Sequence, residues 1–248
     1  MRRQTKPKAE EQHSKQELTS PKFNLEKLSI DFKCKNNNQK KLVKLINDNQ
    51  IIICSGPAGT GKTYLACAQA LKLLKSPDTF FKKIILVKSV TTLADEEIGF
   101  LKGTMEEKMF PFTISFLDNF HKLIGEANTN HMMKDGLIEV MPLAYIRGRS
   151  IDNAIIIVDE AQNITQKNMR STMTRIGEDS KIIITGDSKQ IDIKNKKLSS
   201  LDLVVKLFSE KPGIGTMFFE KGDIVRNPII MMIEDIFDEF EEQNPASK

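Results

Sequence analysis

The chain has 248 residues, of which 40% are hydrophobic and 28% charged, with a formal net charge of +4 and three cysteines. That length suits one sizeable α/β domain and leaves little for a second, and the composition is that of an ordinary globular chain. No apolar run approaches the ~18 residues a membrane span requires, and Cys34, Cys54 and Cys67 form no CxxC pair and no ligand-spaced set with His13, His121 and His131, which argues against a structural metal or a disulfide framework.

Residues 1–22 hold six Lys/Arg against three Glu, include two prolines and show no hydrophobic period. They read as a disordered basic extension, and with no apolar stretch behind the initial charges they are not a secretory signal, so a cytoplasmic protein is expected. The rest of the chain is close to neutral, so charge alone does not announce a nucleic-acid partner. An ordered domain is expected over 23–248. Within it the apolar pattern predicts a helix over 37–48, a strand over 51–55, a helix over 62–75, a strand over 84–88 and a helix over 105–124. A short strand over 138–142 and a strand over 155–159 come next, then a helix over 165–175, a strand over 181–186, a helix over 200–208, a strand over 216–220 and a final helix over 228–243. Strands alternating with helices imply a mainly parallel sheet with helices on both faces, a three-layer α/β/α fold. In the last helix Ile229, Ile230, Ile233, Ile236, Phe237 and Phe240 recur at helical spacing, a stripe expected to pack into the core. Cys54 in a strand and Cys67 on a helix are expected to be small buried hydrophobes.

Three strand ends carry the chemistry. After the first strand come Gly56, Pro57, Ala58, Gly59, Thr60, Gly61, Lys62, Thr63 and Tyr64, a GxxxxGK[ST] loop in its required strand–loop–helix setting. Glycines let the backbone wrap phosphates, successive N–H groups and the helix N-terminus make an anion site, Lys62 would reach the β- and γ-phosphates, and the Thr63 hydroxyl would ligate Mg²⁺. The apolar strand Ala154–Val158 ends in Asp159-Glu160-Ala161-Gln162. Asp159 would hold the Mg²⁺ shell, and Glu160 would orient and deprotonate the attacking water. The strand Lys181–Thr185 ends in Gly186-Asp187-Ser188-Lys189-Gln190, which places Gln190 to sense the γ-phosphate or that water. Together these point to a P-loop ATPase with a RecA-like core, using ATP and Mg²⁺.

The order of the three elements, with DEAQ and GDxxQ, resembles the superfamily one helicase core. GPAGTGKTYLA at 56–66, IGFLKGTMEEK at 98–108, IEVMPLAYIRGRS at 138–150, DEAQN at 159–163, MTRIG at 173–177, SKIIITGDSKQID at 180–192 and DIVRNP at 223–228 more closely resemble the PhoH family of ATPases, from about Asn36 onward. The resemblance implies a ring-shaped homo-oligomer, a hexamer, associated by name with phosphate starvation and by relatives with RNA handling, so that single-stranded RNA or DNA is the implied partner. By position it makes Gln39 an adenine-reading glutamine, and Arg147, Arg149, Arg175 and Arg226 phosphate or interface arginines. Arg226 stands out, because Arg-Asn-Pro also resembles the phosphate-sensing motif of superfamily one helicases. Two positions depart from the family pattern: Lys88-Ser89 stands where many members have Arg-Pro, and Pro111-Phe112 where they have Pro-Tyr. A small-molecule kinase would need an acceptor pocket with its own base, which no motif announces. A GTPase-like switch would need NKxD, whereas Asn195-Lys196 is followed by Lys197-Leu198.

Overall fold

In the computed structural model, which describes residues 22–88, 105–146, 148–193 and 195–243, six strands form one parallel sheet. They are β1 (Ile51–Ser55), β2 (Lys83–Lys88), β3 (Ile138–Pro142), β4 (Ala154–Asp159), β5 (Lys181–Gly186) and β6 (Ile214–Phe218), in the spatial order β3-β2-β4-β5-β1-β6. Seven α-helices are present among the described residues: α1 (Asn37–Asp48), α2 (Lys62–Lys75), α3 (Met105–Ile124), α4 (Glu126–Lys134), α5 (Gln166–Met173), α6 (Leu201–Phe208) and α7 (Pro228–Gln243). Residues 1–21, and with them nearly all of the expected basic extension, lie outside the described residues.

The sheet separates two apolar cores because strand side chains alternate. Ile52, Cys54, Ile84, Leu86, Ile155, Ile157 and Ile183 face the layer of α1, α2, α3 and α4, while Ile53, Ile85, Val87, Ile156, Val158, Ile182 and Ile184 face α5 and α6. A central parallel strand is buried on both sides, which is why β4 and β5 read as unbroken isoleucine runs. This is the RecA-like three-layer arrangement expected. It brings the C-terminal ends of β1, β4 and β5 side by side, with β5 between the other two. Cys54 and Cys67 are fully buried, and burial pushes the Cys54 thiol up to about 12, so it is inert at neutral pH.

Two expectations are corrected, and one helix lay outside them. β6 begins at Ile214, two residues early, because the Gly213 carbonyl already accepts from the Ile51 N–H at 3.1 Å. It also ends early: the Glu220 N–H turns to the Asp223 carboxylate at 2.9 Å. α4 was not foreseen; its polar sequence buries only Thr129 and Met132, too few positions to give a visible stripe. The apolar stripe of α7 does not pack into the core, since its six residues are 39–62% exposed.

Candidate functional site

The loop after β1 is built by its own backbone. Gly59 has φ +82, where an L side chain is strained, and a Cβ there would lie 2.5 Å from Cδ of Arg226. A Cβ at Gly56 would lie 2.6 Å from that of Phe219. Lys62, the first residue of α2, is buried and donates to the carbonyls of Gly56 at 2.7 Å and Pro57 at 2.8 Å. Burial lowers its pKa, opposed by the neighbouring Cys54, Asp187, Asp159 and Glu160. Its ammonium is thus held at the mouth of the loop, on groups that an incoming phosphate can replace.

The end of β4 faces this loop. One oxygen of Asp159, Oδ1, accepts from the Thr63 hydroxyl at 3.0 Å and from the Thr185 hydroxyl at 2.7 Å. Glu160 sits in the left-handed region at φ 54 and ψ 39. Burial raises its pKa, helped by Asp159, while the Gln162 hydrogen bond and Lys88 oppose the rise. Gln162, fully buried, joins three parts of the site. Its amide nitrogen donates to Glu160 Oε2 at 2.7 Å and to the Gln190 carbonyl at 3.0 Å, and its amide oxygen accepts from the Asp187 N–H at 2.9 Å. Asp187 in turn accepts from the Ala58 N–H at 2.9 Å, which ties β5 to the phosphate loop.

An open cleft of ≈ 370 Å³ gathers Lys62, Thr63, Tyr64, Asp159, Glu160, Gln190 and Arg226, so the motifs of three separate strands line one space. Arg226 belongs to the loop before α7, and this loop is pinned to the phosphate loop by the Val225 N–H donating to the Gly59 carbonyl at 3.0 Å. Gln39 is buried beneath the loop, its amide nitrogen 2.9 Å from the Thr60 carbonyl and its oxygen 2.6 Å from the Lys35 N–H. Both ends of that amide therefore hold backbone. It also borders an adjoining cleft shared with Phe32, Tyr64 and Lys122.

Of the other candidate arginines, the two that are described, Arg149 and Arg175, do not line the cleft. Arg149 is exposed, and Arg175 contacts Thr174 at 3.3 Å; Arg147 lies outside the described residues. Sequence reasoning missed Thr185, Asp187 and Gln162 as site residues, and also Asn119 and Lys122, which α3 adds to the cleft. A lone threonine ending an isoleucine strand was a usable signal for Thr185. Nothing local marked Asn119 or Lys122, which reach the cleft only through packing of α3 on α2.

Among the described residues no group of three or more His, Cys, Asp or Glu could hold a metal. Mg²⁺ in nucleotide sites is ordinarily bound by one or two protein oxygens and completed by nucleotide phosphates and water. The oxygens of Thr63 and Asp159, 3.0 Å apart beside Lys62, are such a pair.

The family model described as PhoH-like protein matches residues 31–238. The chain is similar to the PhoH-like protein of Bacillus subtilis, 40% identical over 81% of this chain and 62% of that one. It is also similar to the PhoH-like protein of Synechocystis, 35% identical over 84% and 63%, and to protein PhoH of Escherichia coli, 34% identical over 79% and 55%. It thus spans somewhat over half the length of these relatives. Among solved structures, the large terminase of a thermophilic bacteriophage aligns with 77% of this chain and 47% of its own at 13% identity and a TM-score of 0.44. The Pif1 helicase of Candida albicans aligns with 77% and 40% at 18% identity and a TM-score of 0.36.

Proposed function

The chain belongs to the PhoH-like protein family, and from that premise we propose that it binds ATP with Mg²⁺ and hydrolyses the β–γ phosphate bond. The observation that carries this reading is the single Asp159 oxygen receiving both the Thr63 and Thr185 hydroxyls, between Lys62 and Glu160. Thr63 and Asp159 would hold Mg²⁺, which when bound supplies charge neutralisation on the phosphate oxygens. The loop N–H groups and Lys62 bind the phosphates. Glu160, whose raised pKa makes it a better proton acceptor than an ordinary carboxylate, takes the proton of the attacking water. Gln162 fixes the Glu160 carboxylate and the loop that carries Gln190. Arg226 faces the same cleft and offers a bidentate donor to the charge that develops on the leaving group.

The proposal extends to coupling with single-stranded RNA or DNA in the cytoplasm, by a homo-oligomeric ring, a hexamer by resemblance. The pairing of DEAQ with GDxxQ supports the coupling. Gln162 links the two motifs directly, so a shift of the loop after β5 is felt at Glu160. The deciding measurement is the ATPase rate with Mg²⁺, with and without single-stranded RNA and DNA, alongside Lys62→Ala. Turnover that disappears in the variant and rises with polynucleotide is expected. Turnover unchanged in Lys62→Ala removes the hydrolase reading, and turnover indifferent to polynucleotide removes the coupling.

A further inference from the structure

Helix α7 is amphipathic in the wrong direction for a surface helix. Among its described side chains Met231 and Asp235 are half-buried, with Asp235 paired to Lys221, and both line a groove with Ile230, Ala58, Gln190 and Arg226. The apolar stripe from Ile229 to Phe240 is left 39–62% exposed. That many large apolar side chains exposed along one helix exceed the singly scattered ones a monomer surface ordinarily shows, and they mark an interaction surface.

Charge narrows what can cover it. The helix carries six acidic residues and no Lys or Arg, which disfavours nucleic acid and anionic membrane surfaces alike. A matching surface exists on the same chain. Leu203 and Leu207, one turn apart on α6, are exposed, as is Phe218 at the end of the edge strand β6. Met217 packs toward α1 and Ile214 toward α6, so strand alternation puts Phe218 on the α6 side. Close to it along the chain Lys196, Lys197, Lys206 and Lys211 are exposed, against Glu210 and Glu220.

We propose that the apolar face of α7 seats on the α6–β6 patch of a second copy of this chain, a head-to-tail contact between two different surfaces. Such heterologous contacts repeat around a ring when the rotation closes. The contact rests on the self-assembly proposed above and assigns it an interface. The neighbour would then cover α7 from outside, with the helix itself between it and the groove that contains Gln190 and Arg226.

The test uses two double variants of the full chain, Ile236→Glu with Phe237→Glu, and Leu203→Glu with Leu207→Glu. Each is measured by light scattering and sedimentation at micromolar concentration, with nucleotide affinity and thermal unfolding as checks on folding. Each variant alone is expected to be monomeric, its association weakened at least ~100-fold, as for charge placed in the centre of an apolar interface. An equimolar mixture is expected to form a dimer and stop there, since one variant keeps the patch and the other keeps the stripe. A monomeric α7 variant beside a still dimeric α6 variant would mean α7 pairs with itself, and overturns the proposal. Both variants assembling like the wild type overturns it while leaving self-assembly intact. A monomeric wild type removes both. If either variant fails to fold, serine at the same positions replaces glutamate and the same outcomes decide.

Discussion

Glu160 holds φ 54, a conformation that a non-glycine residue keeps only where its surroundings over-determine it. Here they do: the residue follows a fully buried strand and its carboxylate is fixed by Gln162. Replacing Glu160 by Gln preserves shape and removes the proton acceptor. The variant is expected to bind ATP normally and hydrolyse it ~100-fold more slowly, the usual scale for a positioned base; wild-type turnover in a single-turnover assay would remove Glu160 from that role. Gln162→Leu separates a second contribution. It strips partners from the Glu160 carboxylate, the Gln190 carbonyl and the Asp187 N–H at once, so stability should fall by ~1–3 kcal/mol. Turnover should fall by a larger factor than KM for ATP changes. A lowered melting temperature with an unaltered turnover number would make Gln162 a structural prop only. The difference between these two residues is also a difference in legibility. Lys62, Thr63, Asp159 and Glu160 lie within a few residues of their own strand ends, so their types and spacing suffice to find them. Thr185, Asp187 and Gln162 make their contacts across β4, β5 and the phosphate loop, and only the strand order β4-β5-β1 brings them together.

Helix α1 ends with carbonyls that need partners, and a residue from another element provides them. The Lys181 ammonium, at the start of β5, donates to the carbonyls of Ile46, Asn47 and Asn49. Burial lowers its pKa from 10.5 to about 8. In the folded chain the proton is therefore lost near pH 8, whereas in the unfolded chain it stays on until the ordinary lysine value. Between those values the unfolded state binds more protons, so this residue makes unfolding less favourable as pH rises. Urea unfolding at pH 8 and pH 10 is expected to show that increment in the wild type and not in Lys181→Met. The variant should also be ~1–3 kcal/mol less stable at pH 7, because the helix-end carbonyls lose their donor; equal pH slopes in the two proteins would show that Lys181 titrates as an ordinary surface lysine. None of this was readable beforehand, since Lys181 looks like a polar flank of an apolar run. The elements themselves were readable to within about two residues wherever burial imposes a period. α4 escaped because only two of its residues face the core, and α7 was misassigned to the core because a stripe records amphipathicity without saying what covers it.

At the scale of the molecule, the β-α alternation was enough for a parallel sheet between two helical layers, and the position of each motif at a strand end was enough to converge them on one edge. What the pattern left open was whether Arg226 serves its own subunit or a neighbour. Its side chain lies against Gly59 so closely that a Cβ at Gly59 would meet it at 2.5 Å, and the adjacent Val225 N–H is bonded to the Gly59 carbonyl at 3.0 Å within the same chain. Only a short loop separates these residues from the capped turn at Glu220–Asp223, where Asn36 donates to the Asp223 carbonyl at 3.1 Å and Asn38 to its carboxylate at 2.8 Å. Bonds to two parts of its own chain hold this segment, so Arg226 is expected to act in cis even inside a ring. The consequence is measurable by mixing subunits. In an assembly of Arg226→Ala and Lys62→Ala copies, a cis arginine leaves every site short of one group, and ATPase activity should stay at the level of the separate variants. A trans arginine would instead create intact sites wherever an Arg226→Ala copy, which keeps Lys62, receives the arginine of a Lys62→Ala neighbour. Activity recovered on mixing would therefore overturn the cis assignment. Arg226→Lys supplies the complementary reading: lysine keeps the charge but not the two-pronged geometry, so turnover should drop by roughly 10²–10³, as for removal of one oriented donor, while ATP affinity stays near the wild-type value.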